Sequence, residues 1–489
     1  MVEPKIDVAP PEAVAVATTR SIELTGVATR SEHDLIGNAD VPWNAYWGIH
    51  TLRAVDNFPI TGVSVGHFPE FVRALVLVKQ AAARANRRLG HLPAAKADVI
   101  DRACDLIAKD GRYHDQFVVD AIQGGAGTST NMNTNEVIAN VALELMGRPK
   151  GDYTALHPND DVNMAQSTND AYPTALRLAI IFAAAPLIAA LDELAFAFKS
   201  KAVEFGDVLK IGRTQLQDAV PMTLGQEFDA FFATIKEDIA RLKEAAALFR
   251  EVNLGATAIG TGINADPRYA ALAIEELSRA SHEPMVPASN LIEATSDMGA
   301  FVLFSGVLKR VAVKLSKICN DLRLLSSGPR AGFAEIRLPT VQAGSSIMPG
   351  KVNPVIPEVV NQVAYMVIGH DLTVTMCAEG GQLQLNAFEP TIGYCVLSSL
   401  RTLTAAVNTL VRKCVVGIEA DRERCRALVE DSIGLVTALV YETCSRVAKQ
   451  ALAQKRKVAD IVLEEKLLTQ EQMSRLLRPD AMTAPARSI

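Results

Sequence analysis

The stretch LFSGVLKRVAVKLSKICNDLRLL, residues 303–325, decides the fold class. Its apolar positions cover 22 residues in six steps, about 3.7 residues per step, which is the period of one face of an α-helix. These positions are Leu303, Val307, Val311, Leu315, Ile318, Leu322 and Leu325. The pair Gly328-Pro329 follows, and such a pair ends a helix. The stretch therefore predicts one long helix with a single apolar face.

Two further patterns on the N-terminal side also predict long helices. Seven apolar residues are spaced 4, 3, 4, 3, 4 and 3 apart, a heptad pattern: Phe228, Phe232, Ile235, Ile239, Leu242, Ala246 and Phe249. The run Leu178–Leu191 is apolar all round and is interrupted by Pro186, so we expect its helix to be buried on every side. Several such helices together expose more apolar surface than one chain can bury. The patterns therefore predict an all-α fold with a central bundle of long helices in an oligomer.

The composition narrows the functional classes. The 489 residues carry 49 Lys and Arg against 55 Asp and Glu, and the pI is near 5.9. Nucleic-acid and membrane surfaces need basic patches, so neither partner is expected. Seven scattered cysteines without a C-x-x-C pair predict no disulfide framework, and the eight histidines form no metal-binding spacing. The apolar run of 14 residues is shorter than the ~20 that span a bilayer and no signal-peptide pattern opens the chain, so we expect a cytoplasmic protein.

Four polar, Gly-rich stretches interrupt the helical patterns. They are GGAGTSTNMNTNEV (124–137), HPNDDVNMAQSTNDAYPT (157–174), GRTQLQDAVPMTLGQEF (212–228) and GSSIMPGKVNPVIPE (344–358). Their hydroxyls, amides and single lysine, with few competing acids, suit a small polar anion. The first stretch matches neither glycine pattern of nucleotide-binding loops. Each stretch taken alone is also consistent with ordinary caps and turns, so only their combination indicates a site.

The combination resembles a known family. Residues 344–353, GSSIMPGKVN, match G-S-S-x-M-P-x-K-x-N, the signature of the aspartase/fumarase superfamily of lyases, and the resemblance runs from about Arg30 to the C-terminal region. Class-II fumarases typically have His after the Arg-Thr of the third stretch and Ser-Ser in the second. This chain has Gln215 and Ser167-Thr168 there, so it resembles the aspartase family more closely.

The resemblance implies an architecture. It implies a three-domain aspartase/fumarase-like fold with a homotetrameric core, in which three subunits contribute to each active site. Together with the changes in sequence pattern, it divides the chain into a tail (1–28), an N-terminal helical domain (29–167), a central long-helix bundle domain (168–421) and a small C-terminal helical domain (422–489).

The resemblance also implies a reaction, the deamination of L-aspartate to fumarate and ammonia. Removal of the C3 proton builds a second negative charge on the neighbouring carboxylate, so the site must stabilise developing charge. By resemblance, Ser345 is the general base and Lys351 pairs with the reacting carboxylate. The implied substrate-binding residues are Thr128, Ser129, Ser167, Thr168, Asn169, Thr214, Gln215, Asn353 and Glu358. No cofactor is required, and activation by a divalent cation such as Mg²⁺ stays open.

Two alternatives remain at this point. One is a class-II fumarase, which hydrates fumarate to malate. The other is a non-catalytic structural protein on the same scaffold, against which the retained Ser345, Lys351 and Asn353 argue.

The chain also lacks the Asn-Pro-x-Ile-Gly run that aspartases usually carry before Tyr441, and apolar spacing then predicts a helix that continues through Tyr441.

Overall fold

The computed structural model describes residues 28–344, 347–348, 350–431, 441–454, 456–476 and 478. Most of these residues are helical, which confirms the all-α fold class. The helices are α1 (Ile49–Asn57), α2 (Pro69–Leu89), α3 (Ala94–Asp110), α4 (Thr128–Leu145), α5 (Thr168–Glu204), α6 (Leu224–Ala247), α7 (Tyr269–Ser281), α8 (Leu291–Ser296), α9 (Gly299–Leu325), α10 (Val355–Glu379), α11 (Glu389–Lys413), α12 (Arg422–Asp431), α13 (Tyr441–Gln454), α14 (Val458–Glu464) and α15 (Gln470–Leu476).

The strands of the described residues are short and form two-stranded sheets. They are β1 (Thr29–Asp34), β2 (Gly37–Pro42), β3 (Leu209–Thr214), β4 (Gln217–Thr223), β5 (Glu251–Val252), β6 (Val286–Pro287), β7 (Ile336–Arg337) and β8 (Glu419–Ala420). β1 pairs with β2, β3 with β4 and β7 with β8, all antiparallel, whereas β5 and β6 are parallel. Two of these sheets matter for function, because β1–β2 borders a cavity and β3–β4 carries two predicted site residues.

Helices α5, α6, α9, α10 and α11 pack against one another as a bundle. The rings of Phe198 and Phe228 meet near the end of α5 and the start of α6, with centroids 6.1 Å apart. An ion pair of 2.9 Å joins Asp192 to Lys236 further along both helices. Since later residues of α6 meet earlier residues of α5, the two helices run antiparallel. Helix α6 begins with a reciprocal cap, in which Thr223 and Gln226 each accept the other's backbone N–H.

Helix α9 runs antiparallel to α6 and therefore parallel to α5. Lys314 pairs with Asp238 at 3.3 Å, and Lys317, further along α9, lies over the ring of Phe231, earlier in α6. The bundle consequently has two distinct ends. We call them the α5 N-terminal end and the α5 C-terminal end.

The predicted apolar face of α9 is correct over its second half and wrong at its start. The residues from Val311 to Leu325 on that face are buried, but Leu303 is 53% exposed. At the start of α9 the buried face is formed by Phe301 and Phe304 instead, because both rings pack against Phe249. Aromatic packing thus overrides the simple aliphatic pattern at this end of the helix.

Helix α5 runs through Pro186, as expected, but it differs from the prediction in two respects. The apolar run is part of a helix of 37 residues, and beyond Ile180 one side of this helix is exposed in the single chain. Its most apolar window has a mean hydropathy of 2.1, so by length and composition it could cross a bilayer, which the apolar run of 14 residues did not predict. However, 67% of that window is buried inside the protein, as in a core helix.

The described residues form one large apolar core and a small second one. The large core extends from Val41 to Cys425, and the second contains residues of α13, α14 and α15 from Val447 to Met473. The domain boundaries drawn from the sequence stay predictions. The expected continuous helix through Tyr441 involves residues 432–440, which lie outside the described residues, so this expectation stays a prediction.

Candidate active site

The second polar stretch forms the N-terminal cap of α5. The Ser167 Oγ accepts a hydrogen bond from the Asn169 N–H at 3.2 Å, and the Asp170 Oδ1 accepts one from the Ser167 N–H at 2.9 Å. This reciprocal cap fixes Ser167, Thr168 and Asn169 in the first turn of a long helix. Backbone N–H groups and the helix dipole favour an anion at such a position.

Asp170 also holds a neighbouring loop against this helix end. Its Oδ2 accepts hydrogen bonds from the backbone N–H groups of Gly255 and Thr257, both at 3.0 Å. Burial raises the pKa of Asp170 to about 6, and these backbone hydrogen bonds oppose the shift. Asn169 then contacts the same loop by donating to the Ala258 carbonyl at 2.8 Å.

The first polar stretch lies beside this end of α5. The Asn131 Nδ2 donates to the Thr168 Oγ1 at 3.2 Å, which joins α4 to α5. Thr128 and Ser129 lie about one turn before Asn131, in the first turn of α4. The structure therefore brings five of the predicted substrate-binding residues to the α5 N-terminal end, from two stretches far apart in sequence.

Thr128 and Ser129 line a cavity of about 350 Å³. His50 and Arg53 of α1 also line it, together with Asp34 at the end of β1. Sequence reasoning missed His50 and Arg53, because they lie about 75 residues upstream and no spacing relates them to α4. Burial lowers the pKa of His50, which favours its neutral form.

Charged groups fix the α1 wall of this cavity. Arg53 donates to both oxygens of Asp34, at 2.7 and 2.9 Å, and this bidentate pair holds the pKa of the Asp34 carboxyl well below its usual range. Glu136 of α4 accepts the backbone N–H groups of Gly48 and His50, at 2.8 and 2.9 Å. Burial raises the pKa of Glu136 to about 7. Helix α4 thereby sets the position of α1 as well as that of Thr128.

Thr214 and Gln215 are exposed at the tip of the β3–β4 hairpin. Gln215 and Leu216 both have positive φ, 53° and 61°, a combination that a tight hairpin turn requires and that glycine or asparagine usually supplies. Such non-glycine residues are strained, and strain of this kind concentrates at functional sites. Glu335 anchors strand β3 at both ends of the hairpin, because it pairs with Lys210 near the base at 2.9 Å and with Arg213 near the tip at 2.7 Å.

The signature stretch is only partly described. Ser345, the predicted base, lies outside the described residues, as do Ser346 and Pro349. The loop closes on itself, because the Asn353 Nδ2 donates to the Gly344 carbonyl at 2.6 Å. Gly344 also leaves no room for a side chain, since a Cβ there would overlap the carbonyl oxygen of Lys351.

The residues after the signature begin α10. Pro354 precedes its first residue, Val355, as the positions of the prolines indicated. Glu358 lies in the first turn, where its carboxylate is 3.7 Å from the Arg323 guanidinium near the end of α9. Because α9 runs parallel to α5, the signature loop lies at the α5 C-terminal end of the bundle.

The predicted residues that the structure describes are attached to opposite ends of the bundle, one group at the α5 N-terminal end and the others at the α5 C-terminal end, and the two groups do not meet within one chain. Helix α5 has 37 residues and spans about 55 Å. The hairpin is tied to its far end, where Phe205 and Val208 accept the backbone N–H groups of Gly225 and Leu224 at 3.0 and 2.8 Å. Strand β3, with six residues, reaches at most about 20 Å back. Thr214 therefore stays roughly 30 Å or more from Ser167, further than one small substrate can bridge.

The described residues contain no group of three or more His, Cys, Asp or Glu side chains placed to hold a metal ion. The donors at both groups are hydroxyls, amides and cations. These suit carboxylate binding better than cation binding.

Comparison with known proteins identifies the family. A family model described as "Lyase" matches residues 37–369, and one described as "Fumarase C C-terminus" matches residues 435–484. The aspartate ammonia-lyase of Pseudomonas canavaninivorans is 62% identical over 93% of this chain and 97% of its own length. The aspartate ammonia-lyase of Escherichia coli K12 is 54% identical over 94% of this chain and 96% of its own length. The chain belongs to the aspartate ammonia-lyase family.

Solved structures support the same family fold. A Brucella melitensis protein described as "fumarate lyase:delta crystallin" bound to cobalt superposes with a TM-score of 0.91 at 60% identity, over 94% of this chain and all of that one. A class II fumarase from Schistosoma mansoni superposes with a TM-score of 0.88 at 32% identity, again over 94% of this chain and all of that one. The fold is thus shared with fumarase, whereas sequence identity is far higher to the aspartate ammonia-lyases. The resemblance drawn from the signature stretch is confirmed.

Proposed function

We propose that this protein catalyses the reversible deamination of L-aspartate to fumarate and ammonia. The observation that carries the proposal is the 54–62% identity to aspartate ammonia-lyases over more than nine tenths of the chain. The two groups of hydroxyl, amide and cationic side chains are consistent with a substrate that has two carboxylates and one ammonium group.

Ser345 is the proposed general base that removes the C3 proton. A serine hydroxyl is a weak acid, so it needs nearby N–H donors and a cation to lower its pKa. Lys351 is the proposed cation, and it also pairs with the carboxylate that gains charge as the proton leaves. The closed loop supports this pairing, because Gly344, the residue before Ser345, lies against the Lys351 backbone.

The remaining residues are proposed to hold the substrate. Thr128 and Ser129 bind one carboxylate, while Ser167, Thr168 and Asn169 hold the amino and carboxylate groups at the α5 N-terminal end. Thr214, Gln215, Asn353 and Glu358 complete the pocket. Because the two groups are roughly 30 Å or more apart in one chain, both can reach the same substrate only if different chains contribute them.

A homotetramer with active sites shared by three subunits meets this requirement. Exposed apolar residues on α10, including Tyr365, Met366, Leu372 and Met376, offer a surface for association. We further propose that catalysis needs no cofactor and that the enzyme is cytoplasmic. Fumarate formation that survives exhaustive chelation would support the first point, and any added effect of Mg²⁺ would then be activation rather than a requirement.

The test uses purified protein and the ultraviolet absorbance of fumarate. With L-aspartate as sole substrate, absorbance should rise and ammonia should appear in equal amount. With fumarate as substrate, aspartate should form only when ammonium is added. Malate formation without ammonium would favour fumarase, which the 32% identical neighbour makes the second candidate. No turnover with either substrate would favour a structural protein.

A further inference from the structure

A buried lysine next to the α5 N-terminal end has no role in the proposed mechanism. Lys79 of α2 is fully buried, and its ammonium donates to three side-chain oxygens: Asn131 Oδ1 at 2.6 Å, Asn163 Oδ1 at 2.7 Å and Gln166 Oε1 at 2.9 Å. All three acceptors are neutral amides. Among the described residues no carboxylate forms an ion pair with it.

The buried ammonium of Lys79 contributes little to the stability of the fold. Burial lowers the pKa of Lys79 to about 7, opposed by the negative charge of Asp170, so keeping the ammonium charged here is costly. A methionine of similar volume would fill the space without that cost. In general, a buried charged group stabilises a protein no more than an apolar side chain of similar volume does. The position of the ammonium therefore points to a role in orienting its neighbours.

The chemistry of the ammonium fixes how each amide is turned. It has three donors and no acceptor, so every amide in contact with it must present its oxygen. The NH₂ group of Asn131 must then point away from the ammonium, and it donates to the Thr168 Oγ1 and to the Asn163 Oδ1, both at 3.2 Å. Because the Thr168 oxygen already accepts this hydrogen bond, the hydroxyl hydrogen is left to point elsewhere.

We infer that Lys79 is a positioning residue for substrate binding, which acts through Asn131 to keep the Thr168 hydroxyl available as a donor to the substrate carboxylate. The inference rests on the proposed function, in which Thr168 holds the substrate. Without the ammonium, Asn131 and Asn163 both lose the donor that holds their oxygens, so the two amides can turn over together and Asn131 can present its oxygen to Thr168. The Thr168 hydroxyl would then donate inward, and the substrate would lose a hydrogen bond.

The test is a double-mutant cycle with L-aspartate as substrate. The Lys79→Met variant should raise KM about tenfold while kcat changes less than threefold, because Thr168 contacts the substrate equally before and during the reaction. Thr168→Val should raise KM at least as much. Adding Lys79→Met to Thr168→Val should change KM by less than twofold, since the hydroxyl that Lys79 orients is already gone.

Lys201→Met is the matched control. Lys201 is also buried, and it donates to the Ile418 carbonyl at 2.8 Å at the α5 C-terminal end. Its loss should lower the melting temperature without moving KM. If Lys79→Met lowers the melting temperature but leaves KM unchanged, or if its effect on KM persists in the Thr168→Val background, the inference is wrong.

Asn131→Asp replaces Lys79→Met if the latter fails to fold. The carboxylate has the same shape and still accepts from Lys79, but it cannot donate to Thr168. The expected result is the same rise in KM, abolished in the Thr168→Val background. A rise that persists there would indicate repulsion of the substrate by the new charge and would overturn the inference. Failure of the wild-type protein to deaminate L-aspartate is a separate result, which refutes the proposed function instead.

Discussion

Replacement of Gly127 by alanine should disturb the α5 N-terminal end more than any replacement of an exposed glycine. Gly127 precedes the first residue of α4 with φ of +89°, in the left-handed region that disfavours a side chain. A Cβ there would lie within 2.6 Å of three ring atoms of Tyr172, which is buried on α5 and packs edge-to-face against Phe71. The left-handed backbone costs about 1–2 kcal/mol, and displacing a packed ring adds about 1–3 kcal/mol.

Gly147→Ala is the matched control, because it follows the C-terminal end of the same helix. Its φ is +71°, but a Cβ there would have no atom within 4 Å. Thermal unfolding should show Gly127→Ala losing at least twice as much stability as Gly147→Ala. Only Gly127→Ala should also raise KM for L-aspartate, since Thr128 is its direct neighbour. Equal losses of stability in the two variants would refute the assigned clash with Tyr172.

Three further predictions concern single side chains. Ser345→Ala should lower kcat/KM by roughly 10²–10⁴-fold with the oligomer intact by size-exclusion chromatography, and retention of more than about a hundredth of the wild-type value would remove Ser345 as the base. Lys351→Arg should also lose most activity, because a guanidinium fork does not fit where a compact ammonium pairs with one oxygen, and near-wild-type kinetics would place Lys351 away from the substrate. Asp34→Asn should melt below the wild type at pH 7. The gap should shrink as the pH falls below about 4, because the Asp34 carboxyl, whose pKa is lowered only in the folded state, then takes up a proton on unfolding and so favours the unfolded wild type; a gap that is constant down to pH 3 would contradict the lowered pKa of Asp34.

The sequence was informative where one physical factor dominated. Apolar periodicity predicted α6 and most of α9, since burial on one face sets the spacing along a helix. It was wrong at Leu303. Phe304 points inward instead, because it packs against Phe249, and the spacing of residues along one helix carries no information about such a contact. The sequence also predicted a helix across Pro186, as observed, but not that this helix has 37 residues.

For the candidate site, too, the sequence predicted some residues and missed others. The polar stretches were recognisable because they break the helical pattern and carry donors. His50 and Lys79 were missed, since each reaches the site across 50 or more residues of sequence and is defined by what it contacts. Likewise, no sequence pattern predicted that the two groups of site residues lie roughly 30 Å or more apart in one chain. That separation follows only from the direction of the helices.

The most direct measurement of the central claim combines two defective chains. Thr128→Asp places a carboxylate where a substrate carboxylate is proposed to bind, and Lys351→Ala removes the proposed cation from the other group. Each variant alone should form little fumarate from L-aspartate. When both are co-expressed in equal amounts and each active site takes the two groups from different chains, half of the sites receive an intact first group and half of those an intact second group. The mixed oligomers should therefore recover about a quarter of wild-type fumarate formation, whereas activity no higher than that of the separate variants would contradict active sites shared between chains.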